Sequence, residues 1–541
     1  MLFNSHSFVF VFLPVTLFVY FALGRLSRNW ALRWIIVASL VFYAWWRPAN
    51  VLIIVPAMLV NFGVAKAILY QNRHDNRAAA KIFLALGIVF NICVLGYFKY
   101  TNFLVSAATD VFGGSFTLKE IVLPLGISFI TFQKIAFLVD VHGKRIESFR
   151  FQDFFSFVLF FPQLVAGPIV HYREMMPQFH DVPCKFRRDD VSVGLTLFFF
   201  GLFKKVVLAD SIAPLVSSVF ATADGGSSVS LLPAWLAALG FTFQIYFDFS
   251  GYSDMALGAA RLFGIRLPVN FNSPLRSSSI IDFWMRWHVS LTRFLTAYLY
   301  NPLALFLTRR RLASGRAGYG GRNTSVGAFL QLLMLPTVVT MFISGIWHGA
   351  GYLFMIWGLM HGFYLTVNHA WRLFAQRLWP KSVRYQQVMR PIGWLLTFVA
   401  VAVSMVVFRS TSVDTASNII FGMAGLNGIE LPNSIYDKLA TLGLSLTAMQ
   451  ISPGLPNYNN LRELVGWLLL IAPLGLLVPN TLQILDRFEP AIGVRPSEDS
   501  NFFATSIRWN PSLIWAVLLA IFAFAAVTNV GGYTEFLYWQ F

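Results

Sequence analysis

"FISGIWHGAGYLFMIWGLMHG", residues Phe342 to Gly362, is apolar and aromatic on either side of a glycine-rich centre, and His348 sits in that centre. The runs around it, 326–346 and 349–371, each approach the ~20 apolar residues that an α-helix needs to cross a hydrocarbon core. Both lead away from clusters of positive charge. Arg309, Arg310, Arg311, Arg316 and Arg322 precede the first run, and Arg372, Arg377, Lys381, Arg384 and Arg390 follow the second. The stretch therefore reads as the apex of a membrane hairpin, with His348 far from the charged loops and Gly345, Gly349 and Gly351 letting the backbone turn there.

The same pattern recurs along the chain. It has 541 residues, 57% of them hydrophobic and 12% charged, with a mean hydropathy of +0.64. Soluble domains carry about 25% charged residues. Windows with few charges lie at 7–24, 30–46, 51–70, 82–98, 152–170, 192–222, 230–262, 391–408, 464–482 and 512–530. These predict an all-α, polytopic membrane protein with one transmembrane domain over 1–541. The first span reads as a retained helix, because no Lys or Arg precedes residue 25 and no small-residue cleavage site follows the apolar run. Cys93 and Cys184 fit no metal or redox spacing, and no metal site is expected.

Charge placement predicts orientation, since short cytoplasmic loops are enriched in Lys and Arg. Basic clusters also occur at Arg25, Arg28 and Arg33, at Arg73, Arg77 and Lys81, and at Lys185, Arg187 and Arg188. The polar stretch 410–462 holds only Lys438 and Arg462 and reads as an outer, periplasmic loop segment. Counting spans then puts both termini outside. The net charge of +17 follows from this topology and from contact with anionic lipid headgroups, so it implies no nucleic-acid partner. The loop 309–322 mixes its arginines with Ser314, Gly315, Gly318, Gly320 and Gly321. It reads either as a lipid anchor or as the receiver of an anionic cytoplasmic ligand through Arg309, Arg310 and Arg311.

Two apolar segments carry polar residues that a lipid-facing helix excludes. Segment 121–142 contains Pro124, Gly126, Gln133, Lys134 and Asp140, and segment 241–258 contains Gln244, Asp248 and Asp254 around Gly251. Both are expected to be interrupted helices facing protein or a cavity. Asp248 either holds neighbouring helices or takes part in substrate handling.

Of nine histidines, His288 and His348 have the strongest patterning. His288 lies in "IIDFWMRWHVSLTRFLTAYLYNPL", residues 280–303, next to Arg286 and Trp287; Trp347 adjoins His348. These three neighbours are candidate substrate or donor contacts, whereas His361 and His369 read as packing or interface residues. The chain has no H-E-x-x-H zinc pair, no phosphate loop and no G-x-S-x-G elbow. What remains is histidine without an obvious protein nucleophile, a group suited to taking a proton from an incoming hydroxyl.

Several stretches carry a resemblance. "FWMRWHVSLTRFL" at 283–295 and "SGIWHGAGYLFMIWGLMHG" at 344–362 resemble the paired histidine motifs of the membrane-bound O-acyltransferase (MBOAT) family. "PLGISFITFQKIAFLVDVHGKR" at 124–145, "FFPQLVAGPIVHYREMMPQ" at 160–178, "GLFKKVVLAD" at 201–210 and "FQIYFDFSGYSDMALGAARLFG" at 243–264 resemble its bacterial polysaccharide O-acetylation branch. So do "FLPVTLFVYFALG" at 12–24 and "YTEFLYWQF" at 533–541. One departure stands at Thr296 and Ala297, where the alginate-type pattern has an Arg-Asp pair.

The resemblance implies a helical bundle with a central tunnel, in a bacterial inner membrane. It implies transfer of an acyl group, expected to be acetyl, from a cytoplasmic thioester. The donor is acyl-CoA or an acyl carrier protein, with no bound cofactor. The acceptor is a hydroxyl of an exported polysaccharide, or a periplasmic partner enzyme that completes the reaction. His348 matches the residue treated as catalytic in the family, and His288 the second motif, where it positions the thioester or tunes the first site. The alternative is a transporter or flippase for a polysaccharide precursor. Such proteins often carry internal repeats, and none is visible here.

The orientation has a direct check. In intact cells, a cysteine introduced at Ala440 should react with a membrane-impermeant thiol reagent and one at Gly315 should not; the reverse pattern would invert the topology.

Overall fold

The computed structural model describes all residues except 114–120, 182–183, 321–323, 380–381, 443–445, 447–449, 456–457, 495–506 and 532–541. Gly321, Arg322, Lys381 and the closing motif 533–541 therefore lie outside the described residues. Most of the described residues are helical. Among the described residues, seven helices are long and apolar enough to cross a membrane: Phe8–Leu26, Pro48–Arg73, Arg77–Phe112, Arg188–Asp224, Leu231–Leu262, Val326–His348 and Val383–Arg409. The helices Arg28–Ala44, Tyr352–Leu378, Tyr458–Leu476 and Leu513–Asn529 accompany them.

Leu231–Leu262 is the central post. Every residue from Phe241 to Leu262 is buried, Asp248 and Asp254 included. It packs against Arg188–Asp224, Val383–Arg409, Val413–Met423 and Tyr458–Leu476. Its crossing with Arg188–Asp224 is set by glycine on both partners. A Cβ on Gly201 would stand 2.5 Å from the Gly251 carbonyl oxygen, and one on Gly258 would stand 2.5 Å from that of Gly194. Small residues let backbones approach where lipid supplies no hydrophobic drive between helices.

This corrects the expected interruption at 241–258, which is continuous helix. The glycines serve contact, and the acids are neutralised across it. Lys205 pairs with Asp248 and, at 2.8 Å, with Asp210, while Lys204 meets Asp254 at 2.6 Å. Both lysines come from a π-helical turn, Lys204–Ala209. Asp248 thus sits in a buried ionic cluster between two helices.

Interruption falls elsewhere. Only Ile127–His142 of the first irregular segment is helical. It starts after Gly126, held at φ +67°, where a Cβ would stand 2.7 Å from the Leu164 carbonyl oxygen. Segment 152–170, expected to span, does not. It divides into Phe151–Leu159 and Phe161–Leu164, followed by a non-helical stretch. Pro162 re-initiates the helix, and Gly167 and Pro168 prevent its continuation. Nine residues of helix rise about 14 Å, well short of a bilayer. The broken backbone is buried inside protein, where it can be satisfied: the Phe161 N–H donates to Ser39 Oγ at 3.1 Å.

Among its described residues, segment 410–462 contains helices Val413–Met423 and Asn433–Thr441 and a parallel pair of short strands, Ile429–Leu431 and Ile451–Pro453.

Candidate active site

The hairpin apex closes where the apolar run predicts. Val326–His348 ends at His348, and Tyr352–Leu378 returns. Gly349 and Gly351 are extended, at φ −155° and −172°, so no left-handed turn requires them. The glycines instead give room. A Cβ on Gly345 would lie 2.2 Å from the Phe354 carbonyl oxygen, and one on Gly349 would lie 2.1 Å from the Phe354 ring.

A helix that ends inside protein leaves carbonyls without partners. Here Tyr100 and Lys99 satisfy them. The Tyr100 hydroxyl donates to the Ile346 carbonyl at 2.9 Å. The Lys99 ammonium donates to the carbonyls of Trp347 and, at 3.0 Å, His348. A cation at a helix C-terminus also complements the helix dipole. Both residues come from a π turn, Gly96–Tyr100, within the long helix Arg77–Phe112. The extra residue of such a turn marks many functional sites.

The structure brings His288 and His348 together. Their ring centroids are 6.5 Å apart, across a gap bordered by Trp347, 5.0 Å from His348 and 6.2 Å from His288. Trp357 and Phe408 face His348 edge-on at 5.1 and 5.5 Å, and Phe249 faces His288 edge-on at 4.8 Å. Phe132 stacks on Trp347 at 5.1 Å. Both histidines are buried. His288 itself is held in the left-handed region, φ 43° and ψ 51°, where it caps the helix Val289–Leu295. A non-glycine residue there costs about 1–3 kcal/mol and persists only when its surroundings over-determine it.

The other candidates are placed as follows. Trp287 stacks on Phe283 at 5.6 Å and meets Phe271 edge-on at 5.0 Å, one ring removed from His288. Arg286 pairs with Asp282 at 2.8 Å on its own turn. Asp248 lies in the ionic cluster described above. Arg309 and Arg310 are exposed on the helix Asn301–Ala313. Arg311 is buried and committed, donating to the Ala317 carbonyl at 2.7 Å, to Gln331 at 2.9 Å and to Ser325 at 3.3 Å. It staples its own loop. His361 accepts from the Trp284 indole N–H at 3.2 Å and contacts Ser404 at 3.1 Å, so both ring nitrogens are used in packing.

Sequence reasoning passed over a second feature, an open cleft of about 600 Å³ that begins at Val289, next to His288. Arg145, Arg173 and Arg293 line it, with His171, Tyr298, Thr296 and Ala297. Arg145 pairs with Asp140 at 3.1 Å and Arg293 pairs with Glu174. Arg173 makes no ion pair among the described residues, and it also lines a second cavity of about 650 Å³ with Arg145 and Arg150. The signal was present in "VHYRE" at 170–174, but only the fold brings it into one cleft with Val289, the chain neighbour of His288.

The sequence pattern of MBOAT, the membrane-bound O-acyltransferase family, matches residues 141–315, a span that includes His288. The chain is 37% identical over 460 residues to a peptidoglycan O-acetyltransferase of Helicobacter pylori, covering 80% of this chain and 81% of that one. The chain belongs to the membrane-bound O-acyltransferase family. A "Probable alginate O-acetylase" of Azotobacter vinelandii is 38% identical over 421 residues, 77% of this acyltransferase and 76% of the relative. A teichoic acid D-alanyltransferase of Streptococcus thermophilus is 26% identical over 296 residues, 52% and 68% of the two chains.

The contacts of Lys99 generate a prediction about rate. Lys99→Met should lower kcat for acyl transfer by ~10²-fold, the scale of an ångström-level displacement of a reacting group. Donor KM and membrane abundance should change little, and Lys99→Arg should recover part of the rate. Wild-type kcat in a correctly inserted Lys99→Met protein would remove the positioning role.

Proposed function

We propose that this enzyme moves an acyl group, acetyl by preference, from a cytoplasmic thioester to a hydroxyl of an exported polysaccharide, or to a partner that carries it there. The observation that carries the reading is the buried pair His288 and His348, enclosed by aromatic rings next to a cationic cleft. The relatives named for peptidoglycan and alginate acetylation support the acceptor class.

The chemistry follows from the groups at hand. His348 takes the proton from the acceptor hydroxyl as its oxygen bonds to the thioester carbonyl carbon. The carbon–sulfur bond then breaks, the leaving sulfur takes up that proton as a thiol, and the acceptor holds the ester. A positioned base of this kind contributes about 10²–10⁴-fold. The aromatic enclosure keeps water away from the thioester, which limits hydrolysis.

The donor enters, in this reading, through the cleft beside His288, and a passage joins the two. The face supports the assignment. Lys144, beside cleft residue Arg145, pairs with Asp75 at 3.1 Å, and Asp75 lies between the basic residues Arg73 and Arg77. The cleft thus opens on the arginine-rich side, the cytoplasmic one by the charge rule, in what we take to be a bacterial inner membrane. Arginine suits the phosphates of a coenzyme A thioester because its planar fork binds oxygens in pairs. Among the described residues Arg173 makes no ion pair, whereas Arg311 is committed to Ala317 and Gln331. The donor contact therefore moves from the 309–322 loop, with Arg309 and Arg310 kept for headgroup contact.

Two measurements test this. His348→Ala should abolish product acylation in cells, and transfer from labelled donor by purified protein, at unchanged membrane abundance; normal acylation would refute its role. Arg173→Gln should raise donor KM by about 10-fold with kcat nearly unchanged, since a remote phosphate contact binds ground and transition states alike. Arg309→Gln with Arg310→Gln should leave KM as it is. The opposite pattern would return the donor to the 309–322 loop.

A further inference from the structure

The amide that holds His288 decides which form of the imidazole meets the substrate. Asn270 is fully buried in the connection that follows Leu231–Leu262. Its Oδ1 lies 2.9 Å from His288 Nδ1, 2.8 Å from Ser290 Oγ and 3.4 Å from the Ser290 backbone nitrogen. The Ser290 N–H can only donate, so the amide atom facing it is the oxygen. The other end agrees, because Asn270 Nδ2 donates to Ser253 Oγ at 3.1 Å. Ser290 Oγ in turn accepts the Ile169 N–H at 2.9 Å, which leaves its own proton for Asn270. The Asn270 backbone is tied to the same turn, its carbonyl accepting the Val289 N–H at 2.9 Å.

An oxygen that accepts at Nδ1 requires a proton on Nδ1. In a neutral imidazole the other nitrogen then carries a lone pair and no hydrogen. His288 Nε2 is buried, with no hydrogen-bond partner among the described residues. We propose that Asn270 is a positioning residue that locks His288 as the Nδ1–H tautomer, so that His288 offers a lone pair, and not a proton, to the reaction centre.

This deepens the acyl-transfer reading above and rests on it for its functional meaning. A bare Nε2 accepts a hydrogen bond from a hydroxyl. It cannot donate one to the oxygen that becomes negative when the thioester is attacked. His288 is therefore an orienting acceptor for a neighbouring hydroxyl of the acceptor, while His348 takes the proton of the reacting one, and a different group must stabilise the oxyanion. The left-handed backbone of His288 fits this role, because the strain is held by the same amide that fixes the ring.

The test reads tautomer and rate separately. In nitrogen-15 spectra of histidine-labelled protein in lipid, with His288 assigned by signal loss in His288→Gln, the wild type should show protonated Nδ1 and bare Nε2. Asn270→Ala should yield both tautomers, lower kcat about 10–100-fold and leave donor KM within about 2-fold, the scale of lost outer-shell support for a histidine. Asn270→Asp keeps an acceptor at Nδ1 and should recover much of the rate, with the acid limb of its pH–rate profile moved to higher pH, as a carboxylate favours the imidazolium. A merely structural amide would leave that limb in place. A protonated Nε2 in the wild type, or unchanged kcat in Asn270→Ala, overturns the proposal. The wild-type spectrum needs no turnover, only a folded His288→Gln protein for its assignment, so failure of the acyl-transfer reading would be seen apart from failure of the tautomer assignment.

Discussion

The site depends on how one helix ends. Val326–His348 terminates inside protein, and its last carbonyls would be buried and unpaired without Tyr100 and Lys99. Leaving a buried acceptor unsatisfied costs about 1–3 kcal/mol. The partners that meet this cost are 246 to 249 residues away in sequence. Because the ammonium reaches the carbonyl of His348 itself, the interaction that completes the helix also places the imidazole.

A second constraint acts from the other side. His288 is held in a disfavoured backbone conformation by contacts to Asn270, which is in turn bonded to the central helix through Ser253. That helix is seated by reciprocal glycine contacts and buried Lys–Asp pairs with Arg188–Asp224. The two histidines thus hang from separate supports, the hairpin apex and the central post. Aromatic rings fill the space between those supports and leave few alternative rotamers.

The two sides of the enzyme differ in what they offer a ligand. The cleft face carries arginines, one of them without an ion pair among the described residues. The segment 410–462, nearly free of basic residues, folds into helices and a two-stranded parallel pair over the central post.

The amino-acid sequence by itself determined the membrane class, the place of most helices and the two histidines, because burial in lipid imposes long uncharged runs and makes every polar interruption conspicuous. It also marked His348 as an apex residue, since arginine clusters bound both arms of its hairpin. Which interruptions break a helix was not legible. Asp248 reads as a break but is neutralised by Lys205, whereas 152–170 reads as a span but is divided at Pro162, Gly167 and Pro168. The roles of the arginines were hidden for the same reason. Arg311 and Arg173 look alike in a string of letters, and only packing shows one spent on its own loop and the other open to a cleft. Lys99, Asn270 and the pairing of His288 with His348 were decided by tertiary structure alone, because hydrogen bonds and ring contacts act over a few ångströms and the chain brings those partners together from distant positions.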